Sequence, residues 1–167
     1  MVRAAWAVTT AAASFTWSDL GHQPDDPYRS TQAFVTYPAA TKAIDVLNRV
    51  MTEDLPAFER TSPADALLGK PVPGLTFCLA ERGEQYIVYS DAGVPFTLDT
   101  THPTHPAGAS VSAHTGAGEG GLNLTWIDPV SGDSQPGGSV QHGPAVKLVP
   151  PVAGRHWVAM LLLAANP

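Results

Sequence analysis

The chain has 167 residues, a formal net charge of −6 and only 14% charged residues, together with 15 glycines and 16 prolines. This length fits one ordinary domain or a smaller domain with an added segment, and the composition favours short strands joined by turns over a helical bundle. The nine Lys and Arg residues are not clustered, so neither nucleic acid nor an anionic membrane is an expected partner.

The N-terminal third predicts two helices. Residues 2–13 are rich in alanine and predict a short helix, but they are too weakly apolar for a convincing signal peptide, so the localisation stays open. Residues 40–58 carry apolar residues at steps of three and four, which predicts an amphipathic helix whose last turn is broken or kinked by Pro56. We expect its apolar stripe to be buried; its members are Ile44, Leu47, Val50 or Met51, Leu55 and Phe58.

The segment between these helices holds candidate residues for chemistry. The candidates for catalysis are Asp19, His22, Asp25 and Asp26. Trp17 and Tyr28 are candidates for ligand binding, because an aromatic ring stacks on the apolar face of a sugar. The alternative is an ordinary solvated loop, since acidic residues and prolines are common in connections and no two of these groups have metal-ligand spacing on a defined element.

Residues 61–74 are rich in proline and glycine and predict a boundary between a helical segment, 1–68, and a β-sandwich domain, 69–167. Eight short strands follow, which predicts a mainly β fold: an antiparallel β-sandwich of about eight strands with an N-terminal α-helical appendage. The predicted strands are 75–80, 85–90, 95–99, 109–114, 122–127, 139–141, 145–149 and 156–163, with Pro136-Gly137-Gly138 as a turn.

Two groups within the predicted sandwich are candidates for binding. Trp126 and Trp157, with Tyr86 and Tyr89, are candidates for an aromatic platform under sugar rings, with core packing between two sheets as the alternative. The metal-ligand candidates are close in sequence, with an ordinary exposed loop held extended by prolines as the alternative. They are Asp99, His102, His105 and His114.

Other residues are more simply explained by structure. Asp128, followed by Pro129 and Gly132, predicts a turn in which its carboxylate accepts backbone hydrogen bonds. The single Cys78 has no partner for an internal disulfide and predicts a buried small side chain. No nucleophile elbow, Walker loop or Cys-x-x-Cys motif occurs, and we expect no cofactor.

Three stretches of the chain together resemble a known module. They are CLAERGEQYIVYSDAGVPFTLD, LTWIDPVSGD and PPVAGRHWVAMLLL. As a set they resemble the C-terminal β-sandwich module, often termed collagen-binding, that follows the catalytic barrel in a group of bacterial glycoside hydrolase-like proteins. The resemblance extends from Leu75 to the C-terminal residue. It implies an accessory module with a carbohydrate or matrix ligand.

The first 60 residues resemble the last part of the (β/α)8 barrel in the same family, with residues 41–58 as the closing helix. This resemblance implies that the barrel strands with the acid/base and nucleophile carboxylates are missing from the chain. It also places Trp17, Asp19 and His22 on the loop after the last barrel strand. We therefore expect little or no intrinsic catalysis.

The sequence leaves three functions open. The first is an accessory module derived from a glycoside hydrolase, which binds a polysaccharide or an extracellular-matrix ligand. The second is a stand-alone glycoside hydrolase with a rebuilt carboxylate site, although no motif pairs two of the 15 scattered acidic residues across a cleft. The third is a structural domain that forms a homo-oligomer through the helical segment.

Overall fold

The structure, a computed structural model, describes residues 2–10, 38–72, 74–101 and 121–164. Within these ranges two α-helices lie on one face of a six-stranded antiparallel sheet, and a two-stranded sheet lies on the other face. The predicted mainly β fold with a helical appendage is confirmed. The predicted strand at 109–114 lies outside the described residues.

The helices are α1 (Val2–Thr10) and α2 (Pro38–Arg49), which continues as a π-helical turn (Val50–Asp54), followed by two 3-10 turns (Phe58–Arg60 and Asp65–Leu67). The strands are β1 (Ser62–Pro63), β2 (Thr76–Glu81), β3 (Gln85–Ser90), β4 (Phe96–Leu98), β5 (Leu122–Ile127), β6 (Ser134–Val140), β7 (Val146–Leu148) and β8 (Trp157–Leu163).

The large sheet has the order β1-β2-β3-β8-β5-β6, and the small sheet pairs β4 with β7. Every strand pair is antiparallel. Side chains alternate between the two faces of a strand, so each inner strand of the large sheet contributes residues to both faces. Strand β3 is buried along its whole length, which explains why residues 85–90 contain no charged side chain.

The face toward the small sheet forms the inner core. Its aromatic members include Tyr86, Phe96, Trp126 and Trp157. The Trp126 ring makes edge-on contacts with Phe96 and Trp157, at centroid distances of 6.3 and 6.4 Å. Such contacts add to the free energy of apolar burial, so these rings hold the two sheets together.

The opposite face carries the helix-side core. Trp6 of α1 is fully buried there, among sheet residues such as Ile87 and Met160. Of the predicted stripe, Leu47, Met51 and Leu55 are buried as expected, and so is Val50.

Ile44 and Phe58 are only half-buried, so the prediction that the whole stripe is buried was wrong for these two residues. Ala43 and Val46 occupy the buried positions beside Ile44. The helical turns end at Asp54, because a residue before proline is driven out of the α region and Leu55 is extended (φ −90°, ψ 115°). Phe58 therefore lies in a separate 3-10 turn beyond the end of the helix, although the periodicity predicted it inside the helix.

The proline-rich segment is part of the sandwich rather than a free linker. Strand β1 pairs with β2, and Leu67 and Leu68 are buried in the inner core. Leu68 also bridges to Leu98, and the Gly69 amide donates to the Thr97 carbonyl at 2.9 Å. The division into 1–68 and 69–167 stays a prediction.

Strand β6 was predicted only at its end, and Pro136-Gly137-Gly138 lie inside it rather than in a turn. The strand is at the edge of the sheet and carries a β-bulge opposite Leu124 and Thr125, which are the positions where a sheet tolerates proline and glycine. A Cβ at Gly137 would collide with the Leu124 side chain, so this position requires glycine.

Candidate functional site

Most of the candidate residues for chemistry lie outside the described residues. These are Trp17, Asp19, His22, Asp25, Asp26, Tyr28, His102, His105 and His114. Their predicted roles stay predictions. The described candidates are Asp99, Trp126, Trp157, Tyr86 and Tyr89, and both tyrosines are fully buried.

Asp99 is engaged in a local hydrogen-bond network. Its Oδ1 accepts from the Thr101 amide at 2.9 Å, and its Oδ2 lies 3.5 Å from Nη2 of Arg82. Hydrogen bonds from the Thr101 side chain and amide, aided by the Arg82 charge, lower the pKa of Asp99. Among the residues that the structure describes, no group of three or more His, Cys, Asp or Glu side chains is placed to hold a metal ion.

Trp126 and Trp157 pack in the inner core, with 3% and 5% of their surfaces exposed. The Trp157 Nε1 donates to the Val152 carbonyl at 2.9 Å, which satisfies the one polar atom of that ring. A sugar needs an uncovered ring face for stacking, and neither indole offers one. Both indoles therefore lie in the core between the two sheets, as the alternative to a sugar-binding platform predicted.

Carboxylates in the described segments make contacts within the fold. Besides Asp99, three are paired with arginine: Asp54 with Arg49 at 3.2 Å, Glu81 with Arg60 at 3.3 Å, and Asp128 with Arg155 at 3.0 Å. Two accept backbone amides: Asp65 from Cys78 and Asp91 from Leu75, each at 2.7 Å. These contacts hold loops on strands, and none of them sets two carboxylates across a cleft.

The turn predicted around Asp128 is confirmed. Its Oδ1 accepts from the amides of Val130 and Ser131 at 2.8 and 3.1 Å, while the Gly132 amide donates to its carbonyl. Side-chain acceptance from amides two and three residues ahead is the bonding pattern that favours Asp in turns.

A junction beside this turn joins α1 to the large sheet, and sequence reasoning missed it. The Trp6 ring stacks on the Tyr89 ring, with 6.2 Å between the ring centroids. The Trp6 Nε1 donates to the Pro129 carbonyl at 3.3 Å. The Tyr89 hydroxyl is hydrogen-bonded to Nδ1 of His156 at 2.7 Å. The only sequence signal for this contact was a large aromatic residue, Trp6, in an otherwise alanine-rich helix.

The outer surface of α2 is polar. Its exposed residues include Lys42, Asp45, Asn48 and Glu53, the last in the π-helical turn that extends the helix. The apolar side of the helix packs in the helix-side core. Self-association through the helical segment stays a prediction. None of the helices in the described part of the chain has the length and hydrophobicity of a membrane span.

A different surface is exposed along strands β5 and β6, at the edge of the large sheet. The helices cover this face as far as Ile127, while Asn123 and Ser139 form an exposed cross-strand pair. We call this surface the neutral ledge. It consists of the helix-side residues Asn123, Thr125, Ser134, Pro136 and Ser139, and no charged residue occurs in either strand.

These contacts define an antiparallel β-sandwich with a helical layer on one face. Comparison with solved structures finds the same fold within proteins described as glycoside hydrolases. One such structure matches 73% of this chain and 25% of its own chain, with a TM-score of 0.55 and 15% sequence identity. A glycoside hydrolase family 5 structure from Bacteroides vulgatus ATCC 8482 matches 74% of this chain and 24% of its own, with a TM-score of 0.57 and 14% identity.

This chain thus spans about a quarter of the length of the solved structures that it matches. No protein-family model matches the chain, nor does any curated protein. The structural matches support the predicted resemblance to glycoside hydrolase-type proteins at the level of the fold. Collagen binding has no counterpart in either match.

Proposed function

We propose that the chain is an accessory, non-catalytic β-sandwich module of a glycoside hydrolase-type protein, and that it binds polysaccharide. The observation that carries the proposal is the engagement of carboxylates in the fold. A glycosidase needs a proton donor with a raised pKa and a second carboxylate facing it about 5 to 10 Å away. Asp99 has a lowered pKa, and Asp128 holds a turn and pairs with Arg155.

Binding requires less preorganisation than turnover. A sandwich that exposes hydrogen-bonding side chains provides a surface for a polysaccharide. Polysaccharide binding also agrees with the resemblance to an accessory module. With its described tryptophans buried, the module lacks their stacking energy at the surface. We therefore expect weak binding, with a dissociation constant near 1 mM, or about −4 kcal/mol.

The test combines a turnover assay with a binding assay on the same substrates. Release of reducing sugar is measured on a panel of polysaccharides, and retention of the protein is measured on insoluble forms of that panel and on collagen. We expect retention on at least one polysaccharide and no release of reducing sugar. Turnover that is lost on changing one acidic residue, with the fold intact, would overturn the proposal in favour of a hydrolase with a rebuilt site.

Retention on collagen alone would instead favour the matrix ligand that the sequence resemblance implies. The control is the protein unfolded by denaturant and applied under the same conditions after dilution, which detects nonspecific adsorption.

A further inference from the structure

We infer that the neutral ledge on β5 and β6 is the ligand-binding surface, and that its ligand is an uncharged polysaccharide. This inference rests on the proposed polysaccharide-binding function and names the site and the ligand class. The ledge lies on the helix-side face of the large sheet, beyond the area that α1 and α2 cover.

The chemistry of the ledge matches sugar hydroxyls. A sugar hydroxyl both donates and accepts hydrogen bonds, so it is best met by groups that do the same. The Asn123 amide and the Ser139 hydroxyl each offer a donor and an acceptor, and they lie opposite one another across the β5–β6 pair. Leu162 pairs with Asn123 from the other side and is half-buried, which leaves part of an apolar side chain beside these polar groups.

The absence of charge from these strands distinguishes the ledge from the exposed side of α2. Exposed edge strands commonly carry charged side chains, which prevent association. The exposed side of α2 follows that pattern with Lys42, Asp45 and Glu53, whereas strands β5 and β6 contain no charged residue in a chain of net charge −6. A neutral surface neither repels an uncharged polymer nor has charges that must be desolvated when the polymer binds.

The edge of β6 argues against a protein strand as the partner. A peptide that adds to a sheet edge needs a regular row of amides and carbonyls. Pro136 has no amide hydrogen, the strand is bulged, and Gly138 has a φ of 88°. These features interrupt the row, and strand β6 has no large apolar side chain to anchor a peptide. A polysaccharide, which is bound by side chains, is unaffected by them.

The test measures mobility in native gels that contain a dissolved polysaccharide. The neutral probes are β-glucan, arabinoxylan and galactomannan, and the acidic probe is polygalacturonate. The test variant is Asn123→Ala/Ser139→Ala, and the matched control is Asn48→Ala, which removes an exposed amide from α2. Because the double variant removes both sides of an exposed pair, Asn123→Asp serves as a second variant that keeps the side-chain shape and adds charge.

We expect the parent protein to be retarded by at least one neutral polysaccharide, with about a tenfold weaker affinity in the double variant and no change in Asn48→Ala. Asn123→Asp should also weaken binding.

Unchanged affinity in both ledge variants, with the parent bound, would overturn the ledge as the site but leave the proposed function standing. Retardation by polygalacturonate alone would overturn the inference that the ligand is uncharged. No retardation or retention of the parent on any polysaccharide would overturn the proposed function, and the ledge with it.

Discussion

The two faces of the large sheet are covered by different kinds of structure. The inner core lies under the small sheet, while the helix-side core lies under α1 and α2. The inner core covers the whole length of β5, including Leu122, Leu124 and Trp126. The helix-side core reaches only Ile127 of that strand, and Asn123 is exposed.

The composition of β5 follows from this difference in cover. Alternate residues of one strand face opposite sides, so the strand is apolar where a second sheet covers it and polar where the helices stop short. The uncovered part is the neutral ledge. Its position is therefore set by the width of the helical layer rather than by any motif in the strand itself.

The largest expected effect is on the inner core. Trp126→Ala removes a buried indole and its edge-on contacts with Phe96 and Trp157, so we expect a loss of about 3–5 kcal/mol of unfolding free energy. Chemical denaturation followed by near-UV circular dichroism measures it. The control is Gln135→Ala, the exposed cross-strand neighbour of Trp126, which should stay within about 0.5 kcal/mol of the parent. A loss below 1 kcal/mol for Trp126→Ala would contradict the core position of this ring.

A smaller loss is expected on the helix-side face. Leu47→Ala should cost about 2–3 kcal/mol, because the leucine is buried against sheet residues and its side chain is smaller than an indole. Far-UV circular dichroism during denaturation should show a single transition, since both cores share the strands of the large sheet. Asn48→Ala, exposed at the next position of α2, is the control. A parent-like stability for Leu47→Ala would mean that the helix is not docked.

The smallest effect concerns the pH dependence of the inner core. Burial, and secondarily the charge of Asp65, raises the pKa of the Cys78 thiol well above its usual range. The unfolded thiol ionises at about pH 8.5 while the folded thiol stays protonated, so the stability that the protonated thiol contributes is fully present below that pH and declines above it. The decline approaches about 1.4 kcal/mol per pH unit.

Denaturation of the parent and of Cys78→Ala between pH 7 and 10 measures this contribution. The alanine variant should lose less stability over this range, although its cavity lowers its stability at every pH. Equal slopes for the two proteins would show that the thiol is ionised in the folded state as well.

Local patterns predicted several elements correctly, because their physical causes are local. Residues 85–90 formed the predicted strand, since β-branched and aromatic residues suit a buried pleated surface. The three- and four-residue spacing predicted α2 and the burial of Leu47, Met51 and Leu55. The Asp128 turn followed from a side chain that accepts amides two and three residues ahead.

Other features depended on residues far apart in the chain, and only the tertiary structure decided them. Whether Trp126 was a binding platform or part of the core depended on the small sheet that covers it, and the Trp6–Tyr89 contact depended on where α1 docks. Strand β6 includes Pro136 and two glycines because an edge strand has a partner on only one side. The Asp128 carboxylate pairs with Arg155, which is 27 residues away in sequence but 3.0 Å away in the fold. Sequence patterns do not show such pairs, because the energy of an ion pair depends on distance in space.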